Sequence, residues 1–312
     1  MNSLANLTLR QLRAFAATLE SGSQTVAAQT LGVTQPAVTL QLQSLQDLAG
    51  MPLLQRTPDG PVATDAGRAL LELDARIKLA LNDCIQALRA IKGLSGGRVA
   101  IGAVSTAKYF VPAAIGAFAR RHPDIEMKLT IGNRSEIMGA LRAYTLDVAI
   151  TGRPPDDMDL ERRLIGDHPN IIIAPADHPF AHRKGLKLQD LASEFFIVRE
   201  SGSGTRLLMQ KFVDDAAFRP KIGMEIDSNE TIKQAVMAGL GIAFISGHTV
   251  ALEIQHGRLT ALDVAGLPMV RQWFVVRRSD KHLLPPAQAL LEFLSREAVR
   301  FLPEAIPSDD AK

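Results

Sequence analysis

One cysteine, one tryptophan and two tyrosines occur in 312 residues, and aromatic residues make up 5% of the chain. A single thiol closes no disulfide within the chain and builds no cysteine zinc site, which excludes the disulfide-stapled secreted scaffolds. An excess of charge of one sign is also missing. Lys and Arg number 35 against 33 Asp and Glu, a net charge of +2. A nucleic-acid surface therefore has to be local, not a field spread over the molecule. Long apolar runs are absent too. The stretch 235–252 is broken by Gly239, Gly241 and Gly247 and does not read as a membrane span of about 20 residues. The opening MNSLANLTLRQLRAF carries no basic segment followed by an apolar run. No signal peptide is expected, and the expected compartment is a reducing cytoplasm. What is present is ordinary for a globular chain, 46% apolar and 22% charged, with length for two or three domains.

Residues 1–64 read as compact and helical. Leu9, Leu12, Phe15, Ala16 and Leu19 follow helical spacing. Ser23 is a good N-cap for a second helix, Gln24 to Leu31, which Gly32 can end in the left-handed conformation. Thr34 is expected to cap a third helix with Pro36 in its first turn and a buried face of Val38, Leu42, Leu45 and Leu48. Two short helices joined by a tight turn make a helix-turn-helix. Leu53 to Arg56 and Pro61 to Thr64 flank Pro58-Asp59-Gly60 as a strand–turn–strand wing.

Residues 65–93 form one long helix and its end, started by Thr64 and Asp65. Ala66, Leu70, Leu73, Ile77, Ala80, Cys84, Ala87 and Ile91 alternate at spacings of four and three, a heptad seam. Such a stripe packs on its own domain or on a second copy. The second is expected, with Cys84 as a small apolar filler. Gly93, Gly96 and Gly97 then read as a hinge. From 98 onward strand and helix patterns alternate, the mark of a parallel α/β sheet. Strands are expected at 98–103, 126–131, 147–151, 170–173, 195–198, 222–226, 242–246 and 273–277. Helices are expected at 109–121, 135–143, 205–217, 230–238 and 286–301, with a tail at 304–312.

At this point the residues resemble a known family. The segment Leu9 to Thr64, with Thr34-Gln35-Pro36-Ala37-Val38-Thr39 and Pro52-Leu53-Leu54-Gln55-Arg56, is similar to the LysR-type transcriptional regulators. The stretches VSTAKYFVP (104–112), GRPP (152–155), VRESGSGTR (198–206), SNETIKQAVMAGLG (228–241) and VRQW (270–273) look like its CbbR branch. Members of that branch control Calvin-cycle and rubisco operons. The resemblance implies a winged helix-turn-helix, a coiled-coil linker helix and a two-lobed effector domain like a periplasmic binding protein. The first lobe would be 94–166 with 272–303, and the second 167–271. It also implies a dimer of dimers on double-stranded operator DNA, contact with RNA polymerase, no membrane, and activation or repression by a small metabolite.

Within that frame the third helix presents Gln35, Thr39 and Gln43 four residues apart. Gln can pair with adenine, and the Thr methyl can meet a thymine methyl. Their bland alternative is a solvated helix face. Ser23, Gln24, Thr34, Pro36 and Ala37 lie at the helix starts, where N–H groups take phosphate, and Arg56 is the clearest cationic contact of the wing. Where the family usually has Arg or Lys on this helix, this chain has Leu40, Gln43 and Ser44, and Leu40 faces solvent or closes the edge of a dimer. Residues 1–92 hold eight cations and seven anions, so avidity of several heads has to supply affinity.

Ligands of two-lobed α/β domains lie beyond the C-terminal ends of strands. Five loops are expected there. They are Ser105, Thr106 and Lys108; Asn133, Arg134 and Ser135; Thr151, Gly152 and Arg153; Glu200, Ser201, Gly202, Ser203, Gly204, Thr205 and Arg206; and Ser228, Asn229 and Thr231. Hydroxyls, exposed N–H groups and Arg forks suit an oxyanion, although each loop alone also reads as a capped helix or strand end. Arg199 and Lys233 read as surface or lobe–lobe salt bridges. No cofactor is expected; the resemblance to the CbbR branch implies a sugar phosphate, phosphoglycolate, ATP or NADPH as the effector. An enzyme is disfavoured. Pro179 interrupts the His178/His182 pair, and Ser246-Gly247-His248 lacks a nucleophile elbow. A transport solute-binding protein would have no use for residues 1–92. The alternative is a regulator of aromatic or amino-acid metabolism with a carboxylate effector.

Overall fold

A computed structural model of the chain describes residues 6–58, 60–91 and 96–304. It divides into two compact units, residues 1–92 and 93–312. Asp59, Gly93 and the segment from 307 to 312 lie outside the described residues, as do the side chains of Arg56, Ala87 and Ile91. Among the described residues no helix is long and apolar enough to cross a membrane.

The first unit starts with α1 (Leu9–Ser21), α2 (Gln24–Leu31) and α3 (Gln35–Ala49). Thr8 and Gln11 close a capping box at α1, and Ser23 accepts the Thr25 N–H at α2. Thr34 stands at the N-cap of α3 with extended backbone but makes no side-chain cap bond, contrary to the capping expected of it. Pro36 supplies part of what the cap would, because its missing N–H needs no partner. Leu12, Phe15, Ala28, Val38, Leu42, Leu45, Leu53 and Leu70 form the core. Leu9, which shares the apolar helical spacing, is exposed because it is the first residue of α1, a turn short of the packed face. Leu48 is half-buried. The wing is β1 (Leu54–Thr57) paired antiparallel with β2 (Gly60–Ala63), in register from Leu54↔Ala63 to Thr57↔Gly60.

The Oγ1 of Thr64 accepts the Gly67 N–H at 3.1 Å and starts α4 (Asp65–Ile91). Gly67 lets this helix lie against the wing: a Cβ there would sit 2.3 Å from the Leu53 carbonyl oxygen. Gly67→Ala is expected to destabilise the first unit by about 1–3 kcal/mol, the usual cost of overpacking, visible as a lowered thermal midpoint. Ala66, Leu70, Leu73 and Ile77 pack on the first unit's core. Beyond them Ala80 and Cys84 are exposed, as are Leu81, Ile85 and Leu88. The seam thus serves its own domain in the first half of the helix, whereas Ala80 and Cys84, the described seam residues beyond it, are exposed.

The second unit runs β3 (Arg98–Val104), α5 (Val111–Arg121), β4 (Glu126–Gly132), α6 (Arg134–Arg142), β5 (Val148–Thr151), β6 (Leu160–Pro175), β7 (Phe195–Arg199), α7 (Gly204–Asp215), β8 (Lys221–Ile226), α8 (Asn229–Met237), β9 (Ile242–Ser246), α9 (Ala251–Gln255), β10 (Leu259–Ala261), β11 (Met269–Arg278) and α10 (Pro285–Glu297). The strands are ordered β4-β3-β5-β11-β6-β9-β7-β8, with β10 on β6. The expected parallel sheet is mixed. β3, β4 and β5 are parallel, as are β7, β8 and β9, but β6 and β11 run antiparallel to each other and to β9 and β5. These two long strands connect the two parallel halves, which are the lobes. β6 extends ten residues upstream of the expected strand start at 170. Glu161, Arg162, Arg163, Gly166 and Pro169 hide that part, since charges and a Pro rarely mark a strand. The helix expected from Tyr109 begins at Val111, because residues 105–109 form a 3-10 turn.

The first lobe's core gathers Ile101, Phe110, Phe118, Ile150, Trp273, Leu290 and Leu294. The second lobe's sheet is covered on both faces. Ile172, Phe196 and Phe244 pack with Met209 and Phe212 of α7, and Ile171, Ile197 and Ile245 pack with Ile232 and Val236 of α8. Strands buried on both faces read as continuous apolar runs, which is why FFIV and IAFI are conspicuous in the sequence.

Candidate functional site

The C-terminal ends of β3, β5, β7 and β9 carry Ser105, Thr151, Arg199 and Ser246. Arg199 joins the end of β7 to that of β3. It is 2% exposed, and its guanidinium holds Glu200 through Nε (2.7 Å) and Nη2 (2.9 Å). Nη1 donates to Asn229 Oδ1 at 2.6 Å, and Nη2 donates to Ser105 Oγ at 3.1 Å. Arg199 is therefore a buried bridge from the second lobe to the first, not a surface ion pair. Lys233 is buried as well, between Glu230 at 3.0 Å and Glu253 at 2.8 Å, beneath the Tyr109 ring. Tyr109 donates its hydroxyl proton to Glu230, a second tie between lobes. Burial and this carboxylate push the Tyr109 phenol up. Burial alone would raise Glu230, but hydrogen bonds from Tyr109 and Lys233 hold it below the usual carboxylate range.

The bonds to Arg199 fix the polarity of its neighbours. Because Asn229 Oδ1 accepts from Arg199, its amide orientation is set, and Nδ2 remains a buried donor without a protein partner. Ser105 likewise accepts, so its own proton is left to donate. Beside them lies a stack of rings. His168 of β6 lies on Trp273 of β11 with centroids 3.8 Å apart, and Trp273 Nε1 donates to His248 Nδ1 at 3.1 Å. That bond leaves the His248 proton on Nε2. Burial, with His248 nearby, lowers His168 to about 3; burial lowers His248 to about 4, with Asp167 pulling the other way. Thr151 Oγ1, His168 Nε2, Asn170 Oδ1 and Ser246 Oγ are also buried without a protein partner. Unpartnered buried polar atoms are uncommon, and these lie on the two crossing strands or at strand ends.

Three helices start here, and their caps differ. Asn133 and Glu136 close a capping box on α6, and the Ser135 N–H donates to the Gly202 carbonyl at 3.3 Å. Ser228 Oγ accepts the Thr231 N–H and closes α8. Ser203 occupies the N-cap of α7 but makes no side-chain bond to it. All three first-turn N–H groups of α7, at Gly204, Thr205 and Arg206, are therefore left without a side-chain cap, and with the helix dipole they suit an anion. Thr205 beside them is buried.

The sequence-derived residues thus separate. Ser105, Thr106, Thr151, Glu200, Ser203, Thr205 and Asn229 are brought to the buried junction. Gly202 and Gly204 pack on Asn133, Arg134 and Ser135 across the lobes. Ser201 and Thr231 are exposed. Lys108 lies over the Tyr109 ring. Arg134 Nε reaches the Arg153 carbonyl at 3.4 Å, while the Arg153 side chain pairs with Asp156 on the surface. Arg206 donates to the Arg199 carbonyl and reaches Glu225. Gly152 stands against His168. Sequence reasoning left out Arg199, His168, Asn170, Ser246, His248 and Trp273 as site residues. A polar residue opening or ending a doubly buried apolar run, as Asn170 and Arg199 do, is the signal that was available.

In the first unit Gln35 and Gln43 are exposed on α3. Thr39 donates to Gln24 Oε1 at 2.8 Å and accepts from Gln35 Nε2 at 3.3 Å, so α2 and α3 share one polar edge. Ala37 is half-buried, and Leu40 is 62% exposed.

A winged helix-turn-helix followed by a long helix and a two-lobed α/β domain with a donor-rich junction defines a ligand-responsive DNA-binding regulator. Residues 9–68 match the bacterial regulatory helix-turn-helix protein, lysR family, and residues 92–299 match the LysR substrate binding domain. The chain belongs to the LysR family of transcriptional regulators and is not an enzyme. It is 52% identical over 299 residues to the HTH-type transcriptional regulator CbbR of Xanthobacter flavus, covering 95% of this chain and 90% of that protein. It is 39% identical over 295 residues to the RuBisCO operon transcriptional regulator of Allochromatium vinosum, covering 95% and 98%. The regulatory domain of Synechocystis PCC6803 CcmR, solved in complex with 2-PG, is 36% identical and has a TM-score of 0.62; the match covers 64% of this chain and 96% of that one.

Proposed function

We propose that the chain regulates CO2-fixation genes by binding a small phosphorylated anion between its lobes, with 2-phosphoglycolate as the first compound to test. The uncapped start of α7 carries this reading. The phosphate sits on the N–H groups of Gly204, Thr205 and Arg206, with the Ser105 hydroxyl and Asn229 Nδ2 as further donors. Arg199 orients those donors and does not itself spend its charge on the ligand, because Glu200 already neutralises it. A ligand that touches both lobes favours the closed state by its differential affinity. Closure resets the spacing of the DNA heads on operator DNA. The heads are paired through the second half of α4 and act on RNA polymerase as a dimer of dimers. Several heads on one particle make up for the absence of Lys and Arg between Arg13 and Arg56.

The test is thermal unfolding of the full chain with 2-phosphoglycolate, benzoate or muconate. A ligand at about 100 times its Kd adds about 2.7 kcal/mol. Ser105→Ala, which removes one of the proposed donors, is expected to weaken 2-phosphoglycolate about ten-fold or more, the value of one hydrogen bond to a charged group. Ser228→Ala, which removes only the α8 cap, is expected to cost about 1 kcal/mol of stability and leave affinity unchanged. Stabilisation by benzoate or muconate alone, or equal binding by Ser105→Ala, contradicts the assignment.

A further inference from the structure

The face of α3 that points away from the core is apolar at its centre. Val38, Leu42 and Leu45 are buried and define the inner side. At about 100° per residue the opposite side is centred on Pro36, Leu40, Gln43 and Asp47, and all four are exposed. Gln35 and Thr39 lie toward α2, where they bond to each other, and Thr39 bonds on to Gln24. Leu40, 62% exposed and within the first two turns, is thus a large apolar side chain presented on the outer face. A single exposed leucine is ordinary on a protein surface. Its place here is not, because the N-terminal half of a recognition helix is the part that meets base edges. α3 carries no Lys or Arg at all.

The major-groove edges offer donors, acceptors and one apolar feature, the C5-methyl group of thymine. A leucine facing any other base edge would desolvate a polar group without pairing it. We infer that Leu40 is a specificity residue that reads a thymine by contact with its C5-methyl, with Gln43 on the adjacent base. The inference rests on the regulator reading above, since it requires α3 to enter the groove. Asp47, one further turn along the same face, repels phosphate and leaves the N-terminal half of α3 as the inserted part.

Deoxyuridine is thymidine without the methyl group, so the test changes nothing else. Duplexes are selected from a random pool by the full-length protein, and each thymine of the selected site is replaced in turn by deoxyuridine. One thymine per half-site is expected at which the replacement weakens binding about three- to five-fold, the worth of one buried methyl. With Leu40→Ala the same replacement is expected to have no effect, while unchanged thermal melting reports an intact fold. Binding that ignores every thymine methyl overturns the inference, as does a methyl effect that persists in Leu40→Ala; Leu40 then serves a protein contact. Failure to select any duplex would instead remove the regulator reading on which the inference rests.

Discussion

Arg199→Met is expected to lower the unfolding free energy of the second unit by about 3 kcal/mol, the lower end of the range for orphaning one partner of a buried pair. The guanidinium makes four hydrogen bonds, to both oxygens of Glu200, to Asn229 and to Ser105. Its loss leaves Glu200, whose side chain is only 18% exposed, without a counter-charge. It also frees the Asn229 amide to turn and unties Ser105 of the first lobe from the second. Two readouts separate these effects. Urea unfolding gives the stability loss, and adding Glu200→Gln to Arg199→Met should recover part of it by removing the orphaned charge. Binding of 2-phosphoglycolate should fall at least ten-fold in both variants, because neither fixes Asn229. A stability loss under 1 kcal/mol would mean that Arg199 behaves as an exposed ion pair.

Acidification from pH 6.5 to 5 is expected to destabilise the same unit by up to about 4 kcal/mol. Burial lowers His168 to about 3 and His248 to about 4, whereas both return to about 6.5 when the chain unfolds. Between those values the unfolded state binds protons that the folded state refuses. Each proton costs about 1.4 kcal/mol per pH unit, so the stabilisation is complete above pH 6.5 and is lost as pH falls toward 4 and 3. Two histidines over one and a half units give the figure. His168→Phe keeps a ring on Trp273, and His248→Asn keeps an acceptor for the Trp273 N–H. Together they should flatten the profile of thermal midpoint against pH. A double variant whose profile runs parallel to that of the natural chain would assign the acid sensitivity to other groups.

The legible parts of this molecule are those governed by local rules. Ser23, Gly32, Pro36 and Thr64 mark the first unit's helix boundaries within a residue, because capping and left-handed termini depend on a few adjacent atoms. The wing follows from Pro58 and Gly60. The doubly buried strands are visible as apolar runs. What stayed hidden depends on distant partners. Leu160 to His168 becomes strand because β11 lies beside it, although its own residues read as loop. As sequence, Arg199 and Lys233 read equally as surface or lobe–lobe salt bridges, until Glu200, Asn229, Glu230 and Glu253 close around them. His168, Trp273 and His248 are separated by 25 to 105 positions and meet only in the folded unit. Three helix starts rich in Ser, Thr and Asn look alike as sequence. Their difference lies in whether Asn133, Ser203 or Ser228 turns back onto its own helix.

A crystal structure of the full chain with 2-phosphoglycolate tests the central claim most directly. The account predicts the phosphate on the N–H groups of Gly204, Thr205 and Arg206, with Asn229 Nδ2 and the Ser105 hydroxyl completing its donors and the Arg199–Glu200 pair intact. A phosphate seated on α6 or α8, or on the Arg199 guanidinium in place of Glu200, would contradict it.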